Sequence, residues 1–378
     1  MSHTSATTPF SILPPSLLAG VSGVTIARVP KSVGEEWVWT VQFAPDRDPL
    51  QECRQIAAFL REQHVEVLAQ EIFGLPASAQ ESVQSAFGPI TWPLQWVHAI
   101  AEPAPLAGML LWTIAGVSIE HIEYKGKVVG SLFVDGDIRC LRVAGLQPDT
   151  ATGTRGQQTR EVLEAMEKVL EKCGMTFAHV IRTWFYNEDI LAWYDEFNAV
   201  RNQFFRERGV FDGLVPASTG IGGPNPRGLA LTTGLWAYQP LHGHIEAAAL
   251  PSPLQCPALE YGSSFSRGAE LASPTLRRIL VSGTASIEPG GLSVHVDDVD
   301  AQIELTMDVV LAILAQRKAK WADVTRGVAY LRHASDLPAW RRWQDRNSAN
   351  SMPIVVSHNV VCRDDLLFEI ELDALVLP

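Results

Sequence analysis

The last stretch of the chain, CRDDLLFEIELDAL (362–375), concentrates groups that could do acid–base work. From Leu367 onward it alternates. Phe368, Ile370, Leu372 and Ala374 fall on one face and Glu369, Glu371 and Asp373 on the other, the period of a half-buried strand with its acids toward water. A carboxyl in such a place is ordinarily a solvated surface group. Lifted by burial from its usual pKa of about 4.3, it becomes a general acid near neutral pH, at a cost of about 1.4 kcal/mol per unit. Cys362 stands seven residues before Glu369, and a lone cysteine reads first as an inert buried hydrophobe. Arg201 follows Tyr194 by seven, so on a helix the two face one side. Arg267 lies in the small-residue run GSSFSRG. Taken singly, Tyr194 would pack in a core and both arginines would sit in solvent.

These residues need elements to hold them, and the chain supplies the elements twice. GQQTREVLEAMEKVLEKCGMTFAHVIRTWFY (156–186) matches DAQIELTMDVVLAILAQRKAKWADVTRGVAY (300–330) at a constant offset of 144. Gln158 meets Gln302, Ala178 meets Ala322, Val180 meets Val324, Arg182 meets Arg326 and Tyr186 meets Tyr330. A repeat of this length is one supersecondary unit. Each copy opens with a strand and Gly turn (142–148, 280–286), has a second amphipathic stretch (190–205, 336–347), and closes with a strand (228–240, 365–376). The spacing of Val162, Met166, Val169 and Leu170 predicts the long helix, and the β-branched and aromatic runs VIRTWFY and VTRGVAY predict strands. The predicted class is α+β, an α/β two-layer arrangement of tandem units. Aligning the closing strands sets Thr232, Gly234 and Trp236 opposite Glu369, Glu371 and Asp373, so the unit itself does not need a carboxylate at the place of Glu369. The first 140 residues read as a worn third copy: strand EEWVWTVQFA, a helix capped by Asp48, strand VEVLAQEIF. The expected division is a worn unit over 1–140, a unit over 141–240, a connecting substrate-binding segment over 241–275, and a catalytic unit over 276–378.

Composition narrows the function. With 47% hydrophobic and 19% charged residues the chain is globular. A net charge of −12 argues against a nucleic-acid surface and requires that any anionic ligand be met by locally placed arginines. The five cysteines lack metal-ligand spacing, and the His242-x-His244 pair has no third ligand near it, so no metal is expected. PASTGIGGPNPRG (216–228) lacks the Gly-Lys-Ser/Thr ending of a phosphate loop and reads as a turn entering the closing strand. The apolar run 105–119 is too short for a membrane helix, and the N-terminus lacks the basic start of a signal peptide. A cytoplasmic protein is expected.

The second copy resembles the Rid family of small enamine/imine deaminases in its SG turn, the long helix after Gln302, VTRGVAYL and LLFEIELDAL. Those proteins are trimers with sites between subunits, so two clear copies and one worn copy imply a pseudo-trimer in one chain, expected to be a monomer. From about residue 140 onward the chain resembles the chorismatase family still more closely. The runs RTWFYNEDILAWYDEFNAVRNQFF, GLVPASTGIGG, SPLQCPALEYGSSFSRG, VSGTASIEPGG and CRDDLLFEIELDA carry the likeness. It implies that chorismate is the substrate and that its enolpyruvyl group leaves as pyruvate. The ring product would be 3-hydroxybenzoate or 3,4-dihydroxycyclohexa-1,5-diene carboxylate.

By that resemblance, Arg201 and Arg267 clamp the two substrate carboxylates, Tyr194 orients the ring, and Gln255 and Tyr261 add neutral hydrogen bonds. Glu369 is the general acid on the enol ether. Cys362 and Gln255 lean toward hydroxybenzoate and Ala285 toward hydrolysis, which leaves the product open. No cofactor is implied, because the leaving group is already an activated enol ether. The alternatives are a Rid-like deaminase or a non-catalytic small-molecule sensor. Against the deaminase, the Pro-Ala-Arg strand of Rid proteins is replaced here by Pro216-Ala217-Ser218 and Met352-Pro353-Ile354.

Overall fold

The computed structural model describes residues 8–18, 20–101, 106–242 and 245–378. They form three six-stranded sheets, one per unit. The first holds β1 (Ser11–Ile12), β2 (Val24–Pro30), β3 (Glu35–Gln42), β4 (Glu66–Phe73), β5 (Leu94–Val97) and β6 (Gly108–Ala115). The second holds β7 (Glu120–Tyr124), β8 (Lys127–Asp135), β9 (Ile138–Leu146), β10 (Val180–Asn187), β11 (Ala217–Gly222) and β12 (Leu231–Pro240). The third holds β13 (Glu246–Leu250), β14 (Gly268–Ala272), β15 (Arg277–Ala285), β16 (Val324–Leu331), β17 (Ile354–His358) and β18 (Phe368–Val376). The spatial order is the same each time: first, second, third, sixth, fourth, fifth. Each unit carries a long helix after its third strand and a shorter one after its fourth. These are α1 (Pro49–Gln63) and α2 (Gln80–Phe87), α3 (Arg155–Lys172) and α4 (Tyr194–Glu207), and α5 (Val299–Ala315) and α6 (Leu337–Arg346).

Register shows that the worn N-terminal unit is a true third copy. A bulge interrupts the pairing of the fourth and sixth strands at Val67/Ala69, Val180/Arg182 and Val324/Arg326. Counting from that bulge, Gly108, Thr232 and Glu369 are equivalent, as are Leu110, Gly234 and Glu371. A bulge re-aims the side chains beyond it, and a unit that keeps one in place keeps its face pattern.

Two boundaries differ from expectation. The second sheet begins with β7, before residue 141, because the two-residue turn Lys125-Gly126, both at positive φ, folds β7 and β8 into a hairpin. The segment 241–275 likewise supplies β13 and β14 to the third sheet. PASTGIGG is not a turn but β11, running parallel to β10.

Each sheet packs one face on its own helices, and the other three faces meet in a shared centre that includes Trp112, Trp184, Tyr186, Trp236 and Tyr330. This geometry overturns the wet-face reading of the closing strand. β18 lies between β15 and β16, with α5 packed against it, so neither face meets solvent: Glu369, Glu371 and Asp373 are 4%, 0% and 0% exposed.

The matched glutamines explain how the closing strand is set. Gln158 of α3 accepts the Ala230 N–H at 2.9 Å, and Gln302 of α5 accepts the Leu367 N–H at 2.8 Å while donating to the Asp365 carbonyl. Each glutamine anchors the chain two residues before Thr232 or Glu369. No helix among the described residues is long and apolar enough to cross a membrane.

Candidate active site

The second and third units enclose a cavity of about 470 Å³. α4 contributes Tyr194, Asn198 and Arg201, β11 contributes Ser218 and Gly220, and the loop before β14 brings Tyr261, Phe265 and Arg267. β15 adds Gly283 and Ala285, and the approach to β18 adds Cys362, Arg363 and Glu369. Seven of the eight residues singled out from sequence therefore share one wall-to-wall space.

Gln255 is the exception. It lies behind the wall, where its amide nitrogen donates to the carbonyls of Ala285 and Ile287 at 3.0 and 2.9 Å. Its amide nitrogen braces the backbone that carries Ala285, while its Oε1 is buried without a partner. His242 is exposed and does not line the cavity, and His244 lies outside the described residues. Among the described residues no cluster of His, Cys, Asp or Glu has the makings of a metal site.

Both arginines are buried, at 2% and 3% exposure, and neither meets a carboxylate among the described residues. Arg201 donates to Asn198 Oδ1 at 2.8 Å and stacks near the Phe197 ring (4.9 Å), leaving its Nε without a partner. Arg267 donates from Nε to the Cys256 carbonyl at 3.0 Å and lies near the Tyr261 and Phe265 rings, leaving Nη2 without one. Burial lowers the pKa of Arg201. An unpaired buried cation is costly, and two around one cavity can each pair with an anionic group of a ligand.

Glu369 reaches the same space. Burial pushes its carboxyl up to about 8, and the Glu371 carboxylate adds to this against the pull of Arg182 and Arg267. It is thus a protonated acid at neutral pH. Its position depends on Gly283: a Cβ there would lie 2.1 Å from Glu369 Oε1. Burial pushes the Cys362 thiol up to about 12 and raises Tyr194 and Tyr261 above the usual phenol value. Cys362 is therefore a neutral wall group, not a thiolate nucleophile.

Three functional groups escaped the sequence reading. Arg182 and Thr219 converge on Glu371, and Arg363 at the mouth donates to the Gly291 carbonyl at 2.8 Å, fastening the loop after β15. Arg182 was visible as a repeat match with Arg326, but its partner is on another unit 189 residues away.

Comparison with known proteins agrees with this architecture. The Endoribonuclease L-PSP family model matches residues 139–222. A chorismatase from Streptomyces hygroscopicus is 31% identical over 50% of this chain and 60% of its own length. One from Streptomyces rapamycinicus is 28% identical over 52% of this chain and 64% of its own. A 3-hydroxybenzoate synthase from Streptomyces hygroscopicus is 28% identical over 58% of this chain and 70% of its own. The matches thus span less than two thirds of the first two relatives. The crystal structure of a chorismatase superposes with a TM-score of 0.63 and 20% identity, covering 91% of this chain and 100% of that one. By sequence this chain is similar to proteins named chorismatase and 3-hydroxybenzoate synthase, and it shares the fold of the solved chorismatase.

Proposed function

We propose that the chain is a chorismatase that releases pyruvate from chorismate in the cavity between its second and third units. One observation carries this reading: a buried carboxyl, Glu369, whose pKa burial pushes up to about 8, shares a cavity with two buried guanidiniums, Arg201 and Arg267, that lack carboxylate partners among the described residues. Chorismate carries two carboxylates and an acid-labile enol ether, and this cavity offers two cations and one acid. A cavity of about 470 Å³ is in the range of small-molecule sites.

In the reaction, Arg201 and Arg267 hold the carboxylates, and Tyr194, stacked on Phe197, borders the ring. Glu369 gives its proton to the methylene carbon of the enol ether, the C=C electron pair forms the new C–H bond, and an oxocarbenium ion results. Attack by water gives a hemiketal that collapses to pyruvate and the dihydroxycyclohexadiene acid, consuming one water overall. Attack by the neighbouring ring hydroxyl, which loses its proton, closes a cyclic ketal. The ring C4–O bond then breaks and the C3 proton is lost, which makes the ring aromatic. The hemiketal alkoxide left on C3–O collapses to pyruvate and 3-hydroxybenzoate, whose atoms sum to chorismate alone. The electrostatic setting favours the first step, since the acid is neutral before transfer and the cation forms beside the anion it leaves.

The test is to incubate the protein with chorismate, follow pyruvate by a coupled assay, and identify the ring acid by chromatography. Pyruvate with either ring acid supports the reading and decides the product. Chorismate left intact by folded protein overturns it. The deaminase alternative has less support, because Ser218 occupies the wall position on β11 where its arginine would stand.

A further inference from the structure

Two carboxyls stand two residues apart on the same face of β18, and their surroundings are opposite. Both oxygens of Glu371 are taken by donors. Arg326 donates to Oε1 at 2.6 Å, the Trp184 indole donates to both oxygens at 3.0 and 2.8 Å, and Arg182 and the Thr219 hydroxyl donate to Oε2. A fully buried carboxyl whose oxygens accept only from donors, two of them guanidiniums, is an anion by geometry, and the buried Glu71 carboxyl near it is pushed up to about 7, by burial and by the Glu371 charge. Burial opposes that charge, but Arg326 and Arg182 outweigh it. Glu369, by contrast, makes no side-chain hydrogen bond among the described residues and faces the cavity. Thr219 links the two environments: its hydroxyl accepts the Gly283 N–H at 3.1 Å, next to the space that the Glu369 carboxyl fills.

We infer that Glu371, fixed as an anion beside Glu369, is a positioning residue that keeps the catalytic proton on Glu369. The inference rests on the general-acid reading of Glu369. A like charge this near in a dry interior disfavours a second ionisation. The other groups facing Glu369 do not replace it. From β10 comes Arg182 and from the loop before β14 comes Arg267, both cations that favour ionisation. From α4 come Tyr194 and Arg201, from β16 Tyr330, and from the segment before β18 Cys362, with Asp195, Glu196, Arg363 and Asp364 at the mouth. Tyr330, Tyr194 and Cys362 are held neutral by burial. The equivalent positions in the other two units, Leu110 and Gly234, carry no charge. The anion therefore exists only beside the one closing strand that carries an acid.

The experiment is a pH titration of the protonated-carboxyl infrared band in the resting protein, with the Glu369→Gln spectrum subtracted to isolate Glu369, run alongside the pH profile of kcat/KM for pyruvate release. Glu371→Gln should move the midpoint of the band, and the high-pH fall in activity, down by about one to three units. Where Glu371→Gln fails to fold, the double variant Arg182→Met/Glu371→Gln, which removes the buried pair together, is compared with Arg182→Met, and its midpoint should lie lower by about the same one to three units. Glu371→Asp, which keeps the charge, should hold the wild-type midpoint. A midpoint unmoved in Glu371→Gln, or equal in the double variant and Arg182→Met, overturns the inference and makes the cluster a structural ion network. The infrared arm does not need turnover. A protein that leaves chorismate intact but shows the shifted band would sink the activity alone.

Discussion

Arg182 and Arg326 occupy the same place in successive units, yet both guanidiniums converge on the single carboxylate of Glu371. Arg326 reaches it within its own sheet and Arg182 reaches it from the neighbouring unit. The repeat has thus been turned into an asymmetric centre, with one acid-bearing closing strand among three. Breaking a buried pair of this kind costs about 3–5 kcal/mol, so the same contact also ties the second unit to the third.

On the proposed reading, removing Arg201 or Arg267 should weaken chorismate binding without weakening the fold. Arg201→Met or Arg267→Met takes away a charged donor worth about 1.5–3 kcal/mol to a bound carboxylate, so KM for chorismate should rise about 10- to 100-fold. Because each guanidinium is buried without a carboxylate partner, the melting temperature of the ligand-free variant should stay level or rise. A fall of several degrees would mean the arginine is a structural tie.

Gly283 should be intolerant for a geometric reason. Alanine there would place its Cβ 2.1 Å from Glu369 Oε1, pushing the acid out of line. In Gly283→Ala we expect kcat to fall at least 100-fold while KM changes little, since small misplacements of a reacting group have costs of that size. Equal activity would show that the carboxyl works from another rotamer.

Stability should record the raised acid. The folded-state pKa of Glu369 is pushed up to about 8, against an ordinary value near 4.5. Between those values the folded protein holds a proton that the unfolded chain has lost, so this group's contribution to stability declines as pH rises through that window. Glu369→Gln cannot ionise. Its melting temperature should match wild type near pH 4.5 and exceed it progressively toward pH 8. A constant difference across that range would contradict the shift.

Cys362 should behave as a wall group. With its thiol pushed up to about 12, alkylation by iodoacetamide at pH 8 should be far slower than for a free thiol. Cys362→Ala should retain pyruvate release while changing the proportion of the two ring acids. Loss of pyruvate release in Cys362→Ala would make the sulfur essential to the first step.

The repeat was legible because its helices and strands face solvent and a sheet in the ordinary way, so the 144-residue offset carried Gln158, Gln302, Arg182 and Arg326 into register. The alternation in LFEIELDA was legible too, but its meaning was not. A strand with apolar and acidic faces looks the same whether the acids meet water or the inner faces of two other sheets. Only the meeting of three sheets buries Glu371 against Arg182, a partner 189 residues away. Gln255 could not be placed for a related cause: it lies in a loop, where no periodicity says which way a side chain points, and its amide nitrogen turns toward the Ala285 carbonyl. The hairpin of β7 and β8 rests on two residues at positive φ, one of them Lys125, which announces no turn by type.

The most direct test compares wild type with Glu369→Gln, measuring chorismate binding by calorimetry and pyruvate release under the same conditions. The account predicts pyruvate in step with chorismate consumed for wild type. For Glu369→Gln it predicts retained affinity and a loss of about 10²–10⁴ in turnover, the usual contribution of a general acid. Turnover in Glu369→Gln equal to wild type, or a wild-type protein that binds chorismate and releases no pyruvate, would contradict it.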